Sequence, residues 1–307
     1  MKDLNEAYRP NHHIRKKVNV GYHVTKWIVF IVFIFYGLSL LFPFLWMTVN
    51  SFKTNGDFSS GNYFLLPNPK YFSNIFDVFA NYKKVLFTGI NSDGSGENVL
   101  TMFFMSVVTT TLGTIINVGL SACIAYVVAK YKFIGRGFIY GVAIFSMVVP
   151  IVGTLPAQVK MMETLGLDNN LLGVLFLYSG CFGFNFILLY SAFSSISNTY
   201  MEAASVVCAG RFKTFFKVML PMARGPIVAA SVLTAIGYWN DYQTPYLYLP
   251  KDYQTLAVGL QKFQENHPSN YPIVFTSMLI SVIPILIVYL VFQKTIIKST
   301  NAGGLKG

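Results

Sequence analysis

The chain has 307 residues, of which 54% are hydrophobic, 16% aromatic and only 11% charged, with a mass of 34.4 kDa and a mean hydropathy of +0.52. A soluble domain carries about 25% charged residues, so this composition excludes a water-soluble body of this size, along with a disordered chain, a collagen-like repeat or a disulfide scaffold. It predicts a polytopic membrane protein. The net charge of +11 invites a nucleic-acid partner, but the Lys and Arg residues sit in short segments between apolar runs, which argues against one. Cys123, Cys181 and Cys208 are far apart and show no CxxC spacing, so neither zinc nor a disulfide framework is expected.

A helix that crosses the ~30 Å hydrocarbon layer needs about 20 mostly apolar residues. Six runs qualify: Trp27–Val49, Leu100–Ala129, Phe138–Val159, Leu171–Phe193, Pro226–Leu249 and Pro272–Gln293. They are continuous and lack two-residue alternation, which favours helices over barrel strands. The fold class expected is therefore all-α, with six transmembrane helices. Of the 23 Lys and Arg, 16 lie before the first span, after the second, after the fourth and after the sixth, against seven on the other side. The positive-inside rule then places both termini in the cytoplasm. The first span has a basic leader but no small-residue cleavage signal, and reads as a retained anchor. This divides the chain into a cytoplasmic basic segment (1–26), a transmembrane domain (27–293) and a cytoplasmic tail (294–307). Within the domain lie an external loop at 50–99 and a cytoplasmic loop at 194–225. Pro43, Pro150, Pro156 and Pro284 fall in or at the ends of spans, where kinks are tolerated. Gly137 and Gly141 form a GxxxG that can mark close helix packing.

Enzyme chemistry has little to stand on. No GxxxxGK[ST] loop is present to cradle nucleotide phosphates. The four histidines lie outside the spans and form no HExxH pair, and no Ser/His/Asp arrangement emerges from spacing. No catalytic, cofactor-binding or metal-ligating residue is expected. The inner parts of the spans also contain no Lys or Arg, which tilts any transported solute towards a neutral one.

The informative segment reads EAASVVCAGRFKTFFKVMLP, from Glu202 to Pro221. Tyr200 to Ala209 is a short helix candidate with Asn198 or Thr199 as its cap and Glu202 in the first turn, where a carboxylate suits the dipole. Ala203 and Ala204 leave room for another surface to approach, and Gly210 permits a sharp turn. An amphipathic stretch with Phe212, Phe215, Phe216 and Val218 among Arg211, Lys213 and Lys217 follows, and Pro221 stops it. On periodicity alone, an interfacial helix resting on lipid headgroups fits as well as a protein-docking element.

This segment resembles the EAA loop of binding-protein-dependent ABC importer permeases. Glu202, Ala203, Ala204, Val218, Leu220 and Pro221 match that pattern in type and spacing, followed by Ala209 and Gly210 at the common continuation. Cys208 stands where the family has Gly, and Val207 where it often has Asp. GYWNDYQTPYLYLP (Gly237 to Pro250) looks like the corresponding segment of carbohydrate-importer permeases. The final AGGLKG (Ala302 to Gly307), the SFK after the first span and the KYKFIGRG after the second are similar to the maltose-type inner-membrane subunit. The resemblance implies a type I permease fold in the cytoplasmic membrane of a prokaryote. It also implies a second, homologous permease subunit, two ATP-binding subunits that hold ATP and Mg, an extracytoplasmic solute-binding protein and a carbohydrate substrate. Permeases for amino acids, polyamines or phosphate compounds are the alternative within transport, and a lipid-binding membrane scaffold is the alternative outside it.

By the same resemblance, Glu202, Ala203, Ala204, Cys208, Ala209, Gly210, Leu220 and Pro221 are the ATPase-coupling residues. Ala302, Gly303, Gly304, Lys306 and Gly307 form a tail reaching between the ATPases. Trp239, Asn240, Asp241, Tyr242 and Gln243 form a polar and aromatic cluster late in the fifth run, roughly 22 Å along a helix from Pro226. A carboxylate there has to face protein or water, and aromatic faces with amides suit sugar rings. An interfacial aromatic belt with ordinary hydrogen bonding is the other reading of the cluster. Asn117, Tyr126, Tyr178, Asn185 and Tyr190 are weaker candidates for the same lining, with helix–helix hydrogen bonds or core packing as their alternative.

Overall fold

The computed structural model describes residues 20–87, 98–148, 153–266 and 269–304, and every regular element among them is helical. The chain divides into two compact units, Met1–Trp46 and Met47–Gly307. The first consists, among its described residues, of most of helix α1 (Val20–Ser51), which carries Pro43 inside it. Trp27, Phe33, Phe35 and Leu45 are exposed on it, and exposed apolar side chains recur all round and along its length. A helix of that kind belongs in hydrocarbon rather than water.

The second unit starts with the last turn of α1. It continues through α2 (Asn55–Ser59), α3 (Ala80–Phe87), α4 (Val99–Lys130), α5 (Arg136–Val148), α6 (Leu155–Thr164), α7 (Leu171–Tyr178) and α8 (Phe184–Ser195). Next come α9 (Thr199–Val206), α10 (Arg211–Thr214), α11 (Leu220–Met222), α12 (Arg224–Trp239), α13 (Gln243–Tyr248), α14 (Leu256–Asn266) and α15 (Tyr271–Gly304). By length and composition, Val24–Ser51, Val99–Lys130 and Tyr271–Lys294 can each cross a membrane. A fourth crossing results if Arg211–Met222 and Arg224–Trp239, bent by 79°, count as one. The first, second and sixth apolar runs are thus continuous helices.

The other three runs are broken, a departure from the expectation of six simple spans. The third gives α5, which ends at Val148, and the separate helix α6, with Pro156 harmless in its first turn. Pro150 lies outside the described residues. The fourth is divided into α7 and α8 by residues 179–183, where Gly183 takes φ 124°. The fifth stops at Trp239 and resumes as α13. Helix α15, in contrast, overshoots Gln293 and remains helical to Gly304. Its 34 residues span about 51 Å at 1.5 Å each, roughly 20 Å more than the hydrocarbon layer. Ala302, Gly303 and Gly304 therefore continue a helix, while Lys306 and Gly307 lie outside the described residues.

Helix α4 is the axis of this unit. One of its faces is small or polar, with Ser106, Thr109, Gly113, Asn117, Ser121 and Ala125 all buried. Without a hydrophobic force to join helices in lipid, such residues let neighbouring backbones approach closely and hydrogen-bond. The rings of Tyr178 (α7) and Tyr238 (α12) stack at 3.8 Å and 7°, and both press on Gly113, where a Cβ would lie 2.5 Å from Tyr178. Met102 of α4 lies against Gly259 of α14, and Ser106 Oγ accepts from the N–H of Leu256 at the start of α14 at 2.8 Å. At the other end of α4, Tyr126 packs against Phe193 and Phe215 in a cluster that also holds Phe186, Leu189 and Met219.

The break at 179–183 frees carbonyls that no water can satisfy in a bilayer. Side chains from α4 and α12 take them up. Asn117 Nδ2 donates to the carbonyls of Tyr178 (2.9 Å) and Gly180 (2.7 Å), Ser121 Oγ to that of Cys181 (3.0 Å), and Tyr238 OH to that of Tyr178 (2.9 Å). Asn185 Nδ2 then donates to Asn117 Oδ1 and to Thr234 Oγ1.

The loop that follows α1 is ordered around Lys53, whose side chain is fully buried. Lys53 Nζ donates to Asn50 Oδ1 (2.9 Å) and to the Asn62 carbonyl (2.5 Å), while Asn81 Nδ2 donates to the carbonyls of Ser51 and Lys53. Burial pushes the Lys53 amine below its usual range, and the charge of Asp57 opposes that shift. Thr276 Oγ1 donates to the Ser51 carbonyl and so ties the loop to α15.

Replacing Asn117 by Leu removes the donor for two carbonyls at once and keeps the bulk. It is expected to lower stability by about 2–3 kcal/mol, read as an earlier thermal unfolding transition of the purified protein in detergent. Ile115→Leu, on the exposed face of the same helix, serves as the control and should cost less.

Candidate functional site

Helix α9 begins after a turn at Ser197 and Asn198 that α4 holds in place. Lys130 Nζ, at the end of α4, donates to the Ile196 carbonyl and to Asn198 Oδ1. Asn198 occupies the N-cap position, but its side chain serves Lys130 instead of capping the helix. Glu202 lies in the first turn, where the helix dipole favours a carboxylate. Ala204 is buried against the protein, whereas Glu202, Ala203, Ser205, Val206 and Val207 face outward.

The helix ends at Val206, earlier than expected, and Cys208 makes the turn. The Cys208 N–H donates to the Ser205 carbonyl and the Ala209 N–H to that of Ala204, both at 3.0 Å. That pair of bonds defines a Schellman stop, whose turning residue takes the left-handed conformation. Cys208 has φ 53°. Gly210, the residue expected to supply the bend, is extended at φ −61° and ψ 158°. The structure thus gives a physical reason for a glycine in the resembled pattern at the position Cys208 fills.

After Gly210 the chain rises through α10 into a π-helical turn at Phe215–Met219 and then α11. Pro221 explains the widened turn. It has no N–H for the carbonyl four residues back, and its ring crowds that carbonyl. The Leu220 N–H reaches back to the Phe215 carbonyl instead. Beyond Ala223 the backbone bends by 79° into α12. Phe215 and Thr214 are buried, with Phe215 4.9 Å from the Tyr126 ring, while Phe212 (84% exposed) and Phe216 face outward. The Arg211 guanidinium lies 5.6 Å from the centre of the Tyr131 ring.

The Trp239–Tyr242 cluster sits at the far end of α12, about 22 Å from Arg224 along the helix, and the structure divides it. Trp239, Asn240 and Tyr242 line a cavity of about 830 Å³ together with residues of α14 and α15. Trp239 Nε1 donates to the Ser281 carbonyl (3.3 Å), and its ring meets Phe103 edge-on. Asp241 points elsewhere. Its Oδ2 accepts from Tyr178 OH at 2.9 Å, and its Oδ1 accepts from the Thr244 N–H at the start of α13. Gln243 opens α13. Of the weaker candidates, Asn117, Tyr178 and Asn185 make helix–helix hydrogen bonds. Tyr126 packs in the cluster at the end of α4, and Tyr190 stands beside Tyr140 and Phe186.

Residues 117–301, which contain both regions, match the family described as binding-protein-dependent transport system inner membrane component. The chain belongs to that family. It is a multi-pass inner-membrane component of a transport system and not an enzyme. The permease is 29% identical to the diacetylchitobiose uptake system permease protein NgcG of Streptomyces coelicolor over 88% of this chain and 85% of that one. It is 30% identical to the trehalose/maltose transport system permease protein MalG of Thermococcus litoralis, over 87% and 92%. A chain in the crystal structure of a bacterial ABC transporter involved in the import of the acidic polysaccharide alginate superposes with a TM-score of 0.75 at 25% identity, covering 89% of this chain and 96% of that one.

Helix α14 was missed by sequence reasoning because it is too polar to register as a span. Gln254 and Thr255 before it are nevertheless buried, and so are Val258, Gly259 and Phe263 within it. Their spacing was a legible sign of one buried helical face. For the permease loop, Cys208→Gly is expected to remove a left-handed side-chain penalty and stabilise the turn by about 1 kcal/mol. Cys208→Val should act in the opposite direction. Thermal unfolding of the purified permease with each substitution checks both signs.

Proposed function

We propose that this chain is one of two homologous permease subunits of an ATP-driven carbohydrate importer, with both termini in the cytoplasm. In this reading, separate ATPase subunits bind ATP and Mg, and an extracytoplasmic solute-binding protein delivers a sugar or oligosaccharide. The carbohydrate part is supported by the names of the relatives, which include sugar-uptake permeases from several organisms. The scarcity of cationic residues inside the spans agrees with a neutral solute.

The observation that carries the coupling part is the form of the α9 loop. A short helix offers Glu202, Ala203, Val206 and Val207 on its outer side, with Phe212 beside it. Its inner side is fixed by Ala204, the Lys130 bonds and the Phe215 packing. Exposed apolar side chains on a rigid, small-residue element form a docking surface for another protein. A flexible loop would dissipate an applied displacement, whereas this one passes it to α12 through a continuous backbone. In the lipid-surface alternative Glu202 would face anionic headgroups, an unfavourable place for a carboxylate.

Glu202→Arg reverses the charge on this face without touching the core. It is expected to abolish co-purification of the ATPase subunits, or to cut substrate-stimulated ATP hydrolysis at least tenfold, equivalent to about 1.4 kcal/mol of coupling. Both are measured on the complete transporter in proteoliposomes. Normal assembly together with normal stimulated hydrolysis would assign the loop to the lipid surface instead. Deleting residues 302–307 tests the tail separately: transport-linked ATP turnover should drop while membrane insertion is retained.

A further inference from the structure

The cavity at the end of α12 has a chemical character that nothing in the family description specifies. Its volume of about 830 Å³ falls within the roughly 300–1,000 Å³ of small-molecule sites. Trp239, Tyr242 and Tyr271 supply aromatic surface, and Asn240, Gln261 and Gln264 supply amides that can both donate and accept. Among the described lining residues Glu265 is the one carboxylate and none is Lys or Arg. Gln261 Nε2 donates to Glu265 Oε1 at 3.1 Å across one exposed turn of α14. The first turn of α14 is itself fixed to α4 through Ser106 and Met102.

We infer that this cavity receives a neutral saccharide within this subunit, and that Glu265 is a specificity-determining residue that disfavours acidic sugars such as uronates. The inference rests on the carbohydrate reading above and adds to it a site and a charge preference. Sugar rings present C–H faces that suit Trp239, Tyr242 and Tyr271, and hydroxyls that suit amides and a carboxylate. A negative charge beside a uronate, with no cation among the described lining residues to offset it, raises the energy of that complex. Asp241 plays no part in this selection, since it is turned to Tyr178 and α13.

The test uses the complete transporter with Cys123→Ser, Cys181→Ser and Cys208→Gly, and with Ala257→Cys as a reporter on the cavity wall. Rates of modification by a trimethylammonium and by a sulfonate methanethiosulfonate are compared. Glu265→Gln is expected to lower the cation-to-anion rate ratio about twofold to threefold at low salt, since residue 257 lies about 12 Å from residue 265 along α14. In parallel, uptake of a panel of neutral di- and trisaccharides is measured in cells that hold the whole system. Gln264→Ala and Tyr271→Ala should each lower import of the transported sugar about tenfold, with the ATPase subunits still co-purifying. An unchanged rate ratio overturns the inference, as does uptake unaffected by both variants. Failure of either reagent to reach residue 257 in the assembled transporter also overturns it, because the cavity would then be a packed subunit contact. Failure of the parent transporter to import any neutral saccharide overturns the carbohydrate reading instead, and the reagent result would stand apart from it.

Discussion

The constraint on which this structure turns is that a helix cannot be interrupted in hydrocarbon unless every freed backbone group finds a partner. The division between α7 and α8 shows how the constraint is met. Gly183 provides a conformation closed to other residues. Asn117, Ser121 and Tyr238 then receive the carbonyls of Tyr178, Gly180 and Cys181. The polar side chains of α4 are therefore structural before they are anything else. A single helix with small and polar residues on one face keeps two broken neighbours in register, and the Tyr178–Tyr238 stack fits only because Gly113 has no side chain.

The same logic links the two ends of α12. At one end, Pro221 forces the π turn and the sharp bend follows at Ala223, so α12 leaves the α9 loop at a fixed angle. At the other, Trp239 is the last residue of the helix and forms part of the cavity wall. On the proposed reading, a displacement imposed on α9 has a direct backbone route to that wall. The aromatic cluster of Phe215, Tyr126 and Phe193 joins α4, α8 and the π turn that leads into α12, and close-packed side chains transmit strain and do not absorb it.

How much of this could be read from the residues depends on what hydrophobicity measures. Continuous spans such as α4 and α15 were legible, since apolar content over about 20 residues reports the cost of placing side chains in lipid. The breaks were not, because Leu171 to Phe193 is equally apolar whether its backbone is straight or divided. Gly183 alone does not disclose a left-handed φ, and the partners that satisfy the break lie 60 or more residues away on α4 and α12. The loop was legible as a helix, a turn and an amphipathic stretch, but the turn fell at Cys208 and not at Gly210. Glycine is the usual marker of a left-handed stop, so a cysteine there hides the motif. Asp241 shows the converse: its position late in an apolar run drew attention correctly, yet the hydrogen bonds of Tyr178 and Thr244 could be found only in three dimensions.

Coupling imposes one further requirement on such a molecule. A motor can bias a passage only by as much free energy as its contacts differ between two geometries. An element that bent under load would consume that difference locally. The segment from Lys130 through α9 to Phe215 is closed by hydrogen bonds and ring packing at both ends. The Schellman stop at Cys208 joins the two parts without a loose linker. On the proposed reading, two-state behaviour of this region would be displacement as a unit, with α12 following. Cys208 holds its left-handed conformation at a steric cost, which a residue without a Cβ would remove.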